Sequence, residues 1–370
     1  MRRVPGSPYE SPNSPNHGPT PLAEKPYRFV SSFKPEPKRS GPAGHAVFAG
    51  GDGPVIAAVL HFTITTLTPL HVALGIMGIV RSQRGEEFAA LPAMVLRHVD
   101  EGNREPVRLP ILPGSSLKGA VRAMAEAISP SCVPVADPRV RALLGKHNRC
   151  NDVQALCPAC RLFGSAGYAG HVSIGDIMFA RGDLRRHKSP LLWKPGRDSA
   201  FASRYARQGR LQGRKFYVHR SPAEGDDVRV VIKSGASASG RIVYAGGRRE
   251  ELGLLVAALG ADPDHPFPIK IGGGKPVGLG SVLINIDRVV ILEHTSVEKF
   301  LRHTGRLGGV INSEQLEAGL DVAGESAAQW LREQIQLARR TGVLLDDPYQ
   351  QLREILARDG LQKTAPSGPY

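Results

Sequence analysis

Long apolar runs are absent from this chain. No stretch of 18 apolar residues occurs, which excludes a membrane-spanning helix and leaves no membrane partner expected. Behind Met1-Arg2-Arg3-Val4-Pro5-Gly6 there is no apolar segment, so a secretory signal is not expected and the cytoplasm is the expected location. Cysteine is scarce, with 4 among 370 residues, so the chain is not a disulfide-stapled secreted domain. No repeat of solenoid length and no GxxxxGK[ST] phosphate loop is found. Acidic residues fall short of basic ones. Asp+Glu number 34 against 48 Lys+Arg, a net charge of +14. A soluble chain this basic usually meets a polyanion; a general arginine bias of the proteome is the plainer alternative.

What is present suffices for one elaborated domain or two ordinary ones. Residues 1–50 form a proline-rich arm, with Ser7-Pro8, Ser11-Pro12 and Ser14-Pro15 recurring, and read as largely disordered. Near its end Tyr27 and Phe29 are expected to dock. The core spans 51–295 and a polar helical extension 296–370, with Trp330, Leu331, Ile335 and Leu337 as its apolar cluster. From Val55, period-two alternation of Ile56, Ala58, Leu60, Phe62 and Ile64 predicts a half-buried strand. A long loop is expected through Gly75, Gly78 and Gly85 to Pro110. Leu117, Val121, Met124 and Ile128 recur at helical spacing, so a helix starts near Pro113 with Ser115 or Ser116 as its N-cap. Strands are expected over His171–Phe179, Val228–Lys233, Gly240–Ala245 and Ser281–Leu292, with a helix over Arg248–Leu259. Ala180–Arg220 reads as loop. Stripped of inserts, the order is strand, helix, strand, strand, helix, strand: an α+β, ferredoxin-like pattern.

All four cysteines, Cys132, Cys150, Cys157 and Cys160, fall within 29 residues, in an insert over 130–165. Cys157-Pro158-Ala159-Cys160 is a CxxC knuckle, and four thiolates complete a closed structural Zn²⁺ site with no open position for catalysis. His147 could replace Cys150. The competing readings are a redox pair, which leaves two cysteines unexplained, and four plain buried thiols.

A second insert, 181–225, is strongly basic. Residues 181–220 hold twelve Lys and Arg against Asp183 and Asp198, interleaved with Trp193, Phe201, Tyr205, Phe216 and Tyr217. Cations for phosphates beside aromatics for bases is the composition of a single-strand nucleic-acid surface; a solvated loop with core aromatics is the alternative. Five glycines in Ile271-Gly272-Gly273-Gly274-Lys275-Pro276-Val277-Gly278-Leu279-Gly280 permit close backbone approach, and Lys275 can hold a phosphate. The bland reading is a tight turn with a surface lysine.

The motifs taken in order resemble the RAMP (repeat-associated mysterious protein) superfamily of CRISPR systems, and specifically subunits of type III effector complexes. Thr68-Pro69-Leu70-His71-Val72 resembles a TPLHIG segment, and Ile111 to Gly119 an IPGSSLKG motif. Cys157 to Ser165 resembles CPxCxLFG, Gly170 to Ile177 a GRVRFSD strand, and Gly272 to Ser281 the glycine-rich signature loop. Tyr27 to Val30 and Leu211 to Arg220 resemble a subfamily with a PYNFV-type start and an RGRKFYWHR-type block. The resemblance implies an RRM-like core binding guide CRISPR RNA, in a ribonucleoprotein of antiviral defence that also meets target RNA and other effector subunits. It implies a thumb that interrupts the guide–target duplex, for which 181–225 is the candidate. Expected RNA contacts are Ser115, Ser116, Lys118, Arg122, Arg204, Arg207, Arg210, Arg214, Lys215, Gly273, Gly274 and Lys275.

Some subunits of this kind cut target RNA with a Mg²⁺-binding aspartate, in a segment like GGIDNPVIRD. Here Ala90, Leu91 and Pro92 stand where it should fall, so the site reads as lost or moved. Glu86, Glu87, Asp100 and Glu101 flank it; Glu87 and Asp100 are the weak carboxylate candidates, with solvated loop charge as the bland reading. A guide-precursor endoribonuclease needing no metal is the alternative, as in certain RAMP relatives. Its acid–base candidates are His61, His71, His98 and His219, with His71 carried forward.

Overall fold

The computed structural model describes residues 24–31, 35–42, 55–81, 88–99, 107–134, 138–192, 205–208, 210–292 and 320–368. In its first half the strands are β1 (Tyr27–Val30), β2 (Val55–Thr66), β3 (Ala73–Arg81), β4 (Phe88–Met94), β5 (Leu96–Val99), β6 (Val107–Leu112), β7 (Val172–Ile174) and β8 (Ile177–Met178). Then come β9 (Leu184–Ser189), β10 (Ala206–Arg207), β11 (Arg210–Leu211), β12 (Arg214–Tyr217), β13 (Asp227–Ile232), β14 (Ser237–Arg248), β15 (Ile269–Lys270), β16 (Ser281–Leu292) and β17 (Leu320–Ala323). Among the described residues, the helices of six residues or more are α1 (Gly114–Ile128), α2 (Pro158–Phe163), α3 (Arg249–Ala258), α4 (Gly324–Arg340) and α5 (Asp346–Ile355).

The main sheet has the order β15-β16-β2-β14-β7, with β17 added beside β16 and every pairing antiparallel. Take β2, β7, β14 and β16 as strands one to four, with α1 and α3 in the two crossovers. Their spatial order is then fourth, first, third, second, the split βαβ arrangement that the element order predicts. On β2 the residues Ile56, Ala58, Leu60, Phe62 and Ile64 are at most 4% exposed and face the helices. Their neighbours Val59, His61, Thr63 and Thr65 lie half-buried on the opposite face. One apolar core gathers α1, α3, α4 and α5 on this sheet. The described part of the C-terminal extension therefore belongs to the same core, with Trp330, Leu331 and Ile335 buried as expected.

Several expectations need correction. The segment expected as a loop up to Pro110 forms the β3–β4 and β5–β6 hairpins. Its glycines and prolines hide the period-two signal, and these strands are outside the main sheet, so little burial enforces alternation. The strand expected over His171–Phe179 is cut at Gly175-Asp176. β7 stays in the main sheet while β8 pairs with β6. The cut serves α1: neither Ser115 nor Ser116 caps it, and the N-cap position is held by Pro113, which offers no side-chain cap. Asp176 supplies the acceptor instead, taking the Gly114 N–H at 2.9 Å. The stretch Ala180–Arg220 is also not plain loop. Among its described residues, β9 pairs forward with β13, β12 pairs back with β1, and β10–β11 is a local hairpin. Part of the proline-rich arm is built into the fold. Val30 is fully buried, and Ser40 exchanges two backbone hydrogen bonds of 3.0 Å with Leu156 of the cysteine insert.

Candidate nucleic-acid interface

Two motifs 200 residues apart in sequence form one unit at the end of the sheet where β2 stops and β16 starts. The Gly273 N–H donates to the His71 carbonyl at 2.8 Å and the Gly280 N–H to the Pro69 carbonyl at 2.9 Å. The Ser281 N–H donates to the Thr68 hydroxyl at 2.9 Å. A Cβ on Gly280, at φ +80°, would lie 1.9 Å from the Ile271 carbonyl oxygen, so only glycine closes this loop. Gly274, at φ +71°, starts the one-turn helix Lys275–Val277. A Cβ there would strike Leu279 inside the loop. Gly274→Val should therefore do its harm within the fold, against Leu279 and the positive φ, and not by blocking an approaching strand. Lys275 is half-buried and has no hydrogen-bond or ion-pair partner among the described residues. Burial lowers its pKa.

Beneath the loop lies a second lysine. Lys270 is 5% exposed and donates to the Leu279 carbonyl at 3.0 Å. Burial, then the charges of Lys275 and Arg220, bring its pKa down to about 7. His219 is fully buried. Its Nδ1 accepts from the Ser281 hydroxyl at 2.8 Å, and Nε2 donates to the Pro268 carbonyl at 3.0 Å. Burial, then Lys270, lowers its pKa to about 3. Both groups are depressed, so the unfolded chain binds more protons than the native one, over about pH 3 to 6.5 for His219 and about pH 7 to 10.5 for Lys270. Each therefore makes stability rise with pH across its own window. Thermal melts of the free protein should show Tm climbing from pH 5 to pH 9, and Lys270→Met should flatten the upper part of that climb. A wild-type Tm that falls from pH 7 to pH 9 is the contrary result.

The second locus is the flank of α1. Its exposed stripe is Ser115, Gly119 and Ala123, with Ser116, Lys118 and Arg122 half-buried beside it. A groove of about 1020 Å³ runs between this helix, the cysteine insert and β7, walled by Lys118, Arg122, Arg149 and the Gly164–Gly170 turn. Lys118 donates to the Val172 carbonyl at 2.7 Å. The glycine loop does not line this groove. It sits at the β15–β16 side of the sheet, and the groove at the β7 side, roughly 14 Å away at about 4.8 Å per strand.

The four cysteines come together. Their sulfurs all lie within 4.8 Å of one another and all four residues are buried. Cys132 Sγ is 3.6 Å from both Cys157 Sγ and Cys160 Sγ. A disulfide needs about 2.05 Å. Four thiolates at about 2.3 Å from one tetrahedral ion stand about 3.8 Å apart. The set fits a structural metal, and His147 is not part of it. Backbone N–H groups of Cys132 and Cys157 point at Cys157 Sγ and Cys150 Sγ, at 3.4 and 3.3 Å. The Arg122 guanidinium lies 3.7 Å from Cys160 Sγ. It also donates to Gly164 O and to Glu126 Oε1, at 2.9 and 2.8 Å. Arg214, from the basic stretch, takes the other carboxylate oxygen of Glu126 at 2.8 Å and the Cys132 carbonyl at 2.6 Å. Arg122 and Arg214, expected at RNA, are therefore engaged inside the protein and hold α1, β12 and the cysteine cluster together. No local sequence signal could show this, because Glu126 looks like an ordinary helix-surface residue.

The remaining candidates divide. Arg204, Glu87 and Asp100 lie outside the described residues, as do Trp193 and Phe201. Arg207 falls on β10 and Arg210 is exposed on β11. Lys215 lies among tyrosine rings. Of the histidines, His219 has both ring nitrogens engaged, which leaves no lone pair for base chemistry. His61 is on the open sheet face and His98 is exposed on β5. His71 is different. Its Nδ1 donates to the Val230 carbonyl at 2.8 Å, and burial keeps its pKa below the usual imidazole value. The ring packs beside Gly273.

The open face of the sheet decides how a nucleic acid can be held. An RRM stacks bases on aromatic residues of its two central strands. Here the outward residues of those strands are Val59, His61 and Thr63 on β2 and Ser239, Arg241 and Val243 on β14. None is aromatic. A base lying across this face would find no ring to stack on. A family model of the RAMP superfamily matches residues 63–283. The chain belongs to the RAMP superfamily. The match runs from the end of β2 to the start of β16, and so takes in both crossovers with α1 and α3 and the strands β7 and β14 between them. Comparison with curated proteins finds no match. RAMP proteins are associated with CRISPR RNA-binding complexes, which gives the +14 charge of this RAMP protein a polyanion to meet.

Proposed function

We propose that this RAMP protein is a guide-RNA-binding backbone subunit of a type III CRISPR ribonucleoprotein complex in antiviral defence. It would work in the cytoplasm with other effector subunits and shape the pairing of guide and target RNA. The observation that carries this reading is the glycine-rich loop stitched to Thr68–His71, with Lys275 without a partner among the described residues. Its backbone and its lysine can take phosphates whatever the base sequence. The cysteine cluster is read as a structural Zn²⁺ site, since four thiolates suit zinc and leave no open coordination position. The part of 181–225 around the β10–β11 hairpin, where Arg210 is exposed, is the thumb candidate.

The test is filter binding of a guide-length RNA across a salt series. On a single strand, affinity should fall by about 0.7 log units per log unit of salt for each phosphate contact. Lys275→Ala should remove about one contact from that slope and weaken all sequences alike. Lys118→Ala should do the same, with an added loss of stability because its Nζ holds the Val172 carbonyl. An unchanged slope in both variants contradicts the placement.

A second reading rests on His71, whose bonded Nδ1–H leaves Nε2 as the basic nitrogen next to the glycine loop. His71 is 1% exposed, so the glycine loop would have to move before that nitrogen could accept a proton from an RNA 2′-OH, as a metal-independent endoribonuclease acting on guide precursor requires. Incubating the pure protein with precursor RNA in EDTA separates the two. Cleavage that His71→Ala abolishes supports the enzyme, and binding without cleavage supports the backbone subunit. Cleavage of target RNA that requires Mg²⁺ would instead bring back the carboxylates near Glu87 and Asp100.

A further inference from the structure

The outer face of the β1–β12 ribbon carries a cluster that the guide-backbone contacts do not use. In an antiparallel pair, side chains alternate between faces. Tyr27 stands opposite Tyr217 and Phe29 opposite Lys215, so these four share one face. The other face is the core side: Val30 and Val218 are buried and Phe216 packs against the core. On the outer face Tyr27, Phe29, Lys215 and Tyr217 are each half-buried, and Tyr205 joins them from the residue before β10. Ring centroids are 5.8 Å apart for Tyr27–Phe29, 6.1 Å for Tyr27–Tyr217 and 6.0 Å for Phe29–Tyr205. All three pairs meet edge to face. The Lys215 ammonium sits 4.5 Å from the Tyr27 centroid, 5.0 Å from Tyr217 and 5.7 Å from Tyr205.

Three tyrosine rings around one cation, with Phe29 packed against two of them, is an unusual content for a face turned away from the core. An outer face with no ligand is normally polar. Cation–π contact fixes Lys215 in place and holds its charge among the rings. The rings are half-buried, so part of each is open to solvent at the ribbon's outer surface. The surroundings favour an anionic ligand, because 181–220 carries twelve Lys and Arg against two Asp. Rings for bases with a cation for phosphate suits an unpaired nucleotide. The main sheet has no aromatic residue at its central outward positions, so this ribbon supplies the stacking surface that the open face does not.

We propose that the Tyr27–Phe29–Tyr205–Tyr217 cluster around Lys215 is a stacking platform for an unpaired nucleobase of single-stranded RNA. The proposal rests on the RNA-binding reading above. It is tested with the full chain and a guide-length RNA carrying 2-aminopurine, whose fluorescence is quenched on stacking. One arm places the label in the guide strand alone. The other places it at an unpaired position of a complementary target strand added to the guide complex. Quenching in the first arm assigns the platform to the guide, and in the second to the target. Quenching in neither overturns the proposal. Tyr27→Ala and Tyr205→Ala should each weaken binding by about 5- to 150-fold, with the salt slope unchanged. Tyr27→Phe and Tyr205→Phe keep a ring and should bind as wild type. If the alanine variants fail to fold, ultraviolet crosslinking of the wild-type complex reads the same contact. Crosslinks within 25–30 or 205–217 support the platform, and crosslinks confined to other segments overturn it. Wild type that binds RNA, loses contacts with Lys275→Ala and ignores the ring variants overturns the platform alone. Wild type that binds no RNA at low salt overturns the platform together with the reading beneath it.

Discussion

Purified without chelator, the protein should carry about one Zn²⁺ per chain, and Cys157→Ser should lose the ion and most of the soluble yield. The insert that holds the cysteines has a small buried cluster of its own: the four Cys residues, Leu156, Ala159 and Tyr168. A cluster of that size buries too little apolar surface to offset the conformational entropy of some thirty residues. Structural zinc contributes apparent free energies of about 10–16 kcal/mol in small finger peptides at neutral pH. Loss of one ligand of four removes most of that. The damage should spread beyond the insert, because Cys132 and Cys160 touch Arg214 and Arg122, and through them Glu126 of α1. RNA affinity of whatever Cys157→Ser protein stays soluble should change less than its stability, since the sulfurs are buried and face inward. Elemental analysis decides the first point. Native protein free of zinc, or a Cys157→Ser variant as soluble and as stable as wild type, contradicts this account.

The second large effect lies at the joint between the insert and the core. The Arg161 guanidinium and the Glu251 carboxylate form an ion pair with side chains only 5% and 1% exposed. Arg161 also donates to the Leu156 carbonyl at 2.6 Å and to the Ser40 hydroxyl at 2.9 Å. One side chain therefore joins α2, the N-terminal arm and α3. Removing one partner of a buried pair leaves an uncompensated charge and costs about 3–5 kcal/mol. Glu251→Leu should lower stability by about that amount, read from a urea titration. Replacing both residues, as Arg161→Met with Glu251→Leu, should recover much of the loss, because two apolar side chains need no mutual compensation. Equal stability of Glu251→Leu and wild type would show that the pair carries little of the joint.

Much of this was legible in the sequence and some was not, for reasons specific to the residues. The β2 alternation, the α1 stripe and the β16 strand are long and strongly periodic, so their periods could be read directly. The cysteine spacing forecast a four-sulfur cluster, which the fold assembles. The hairpins between Ala73 and Leu112 were hidden by glycine and proline. The helix cap at Asp176 stands 62 residues from the group it serves, a distance that no local pattern spans. The ribbon that joins Tyr27 to Tyr217 spans 190 residues, so the aromatics of the arm and of the basic block looked like two unrelated features. Charge density marked 181–220 correctly as cationic, yet charge alone could not tell Arg214, ion-paired with buried Glu126, from Arg210, which is exposed.

The most direct test of the central claim is to isolate the protein from its native cells at low salt and sequence the RNA that comes with it. A guide-RNA subunit should bring short RNAs that share a repeat-derived flank and vary beyond it, together with other effector subunits. That RNA should be released in proportion as salt is raised, and Lys275→Ala protein should retain less of it than wild type. Protein that arrives without RNA, or with an unselected mixture of cellular RNA that Lys275→Ala holds equally well, would contradict the account.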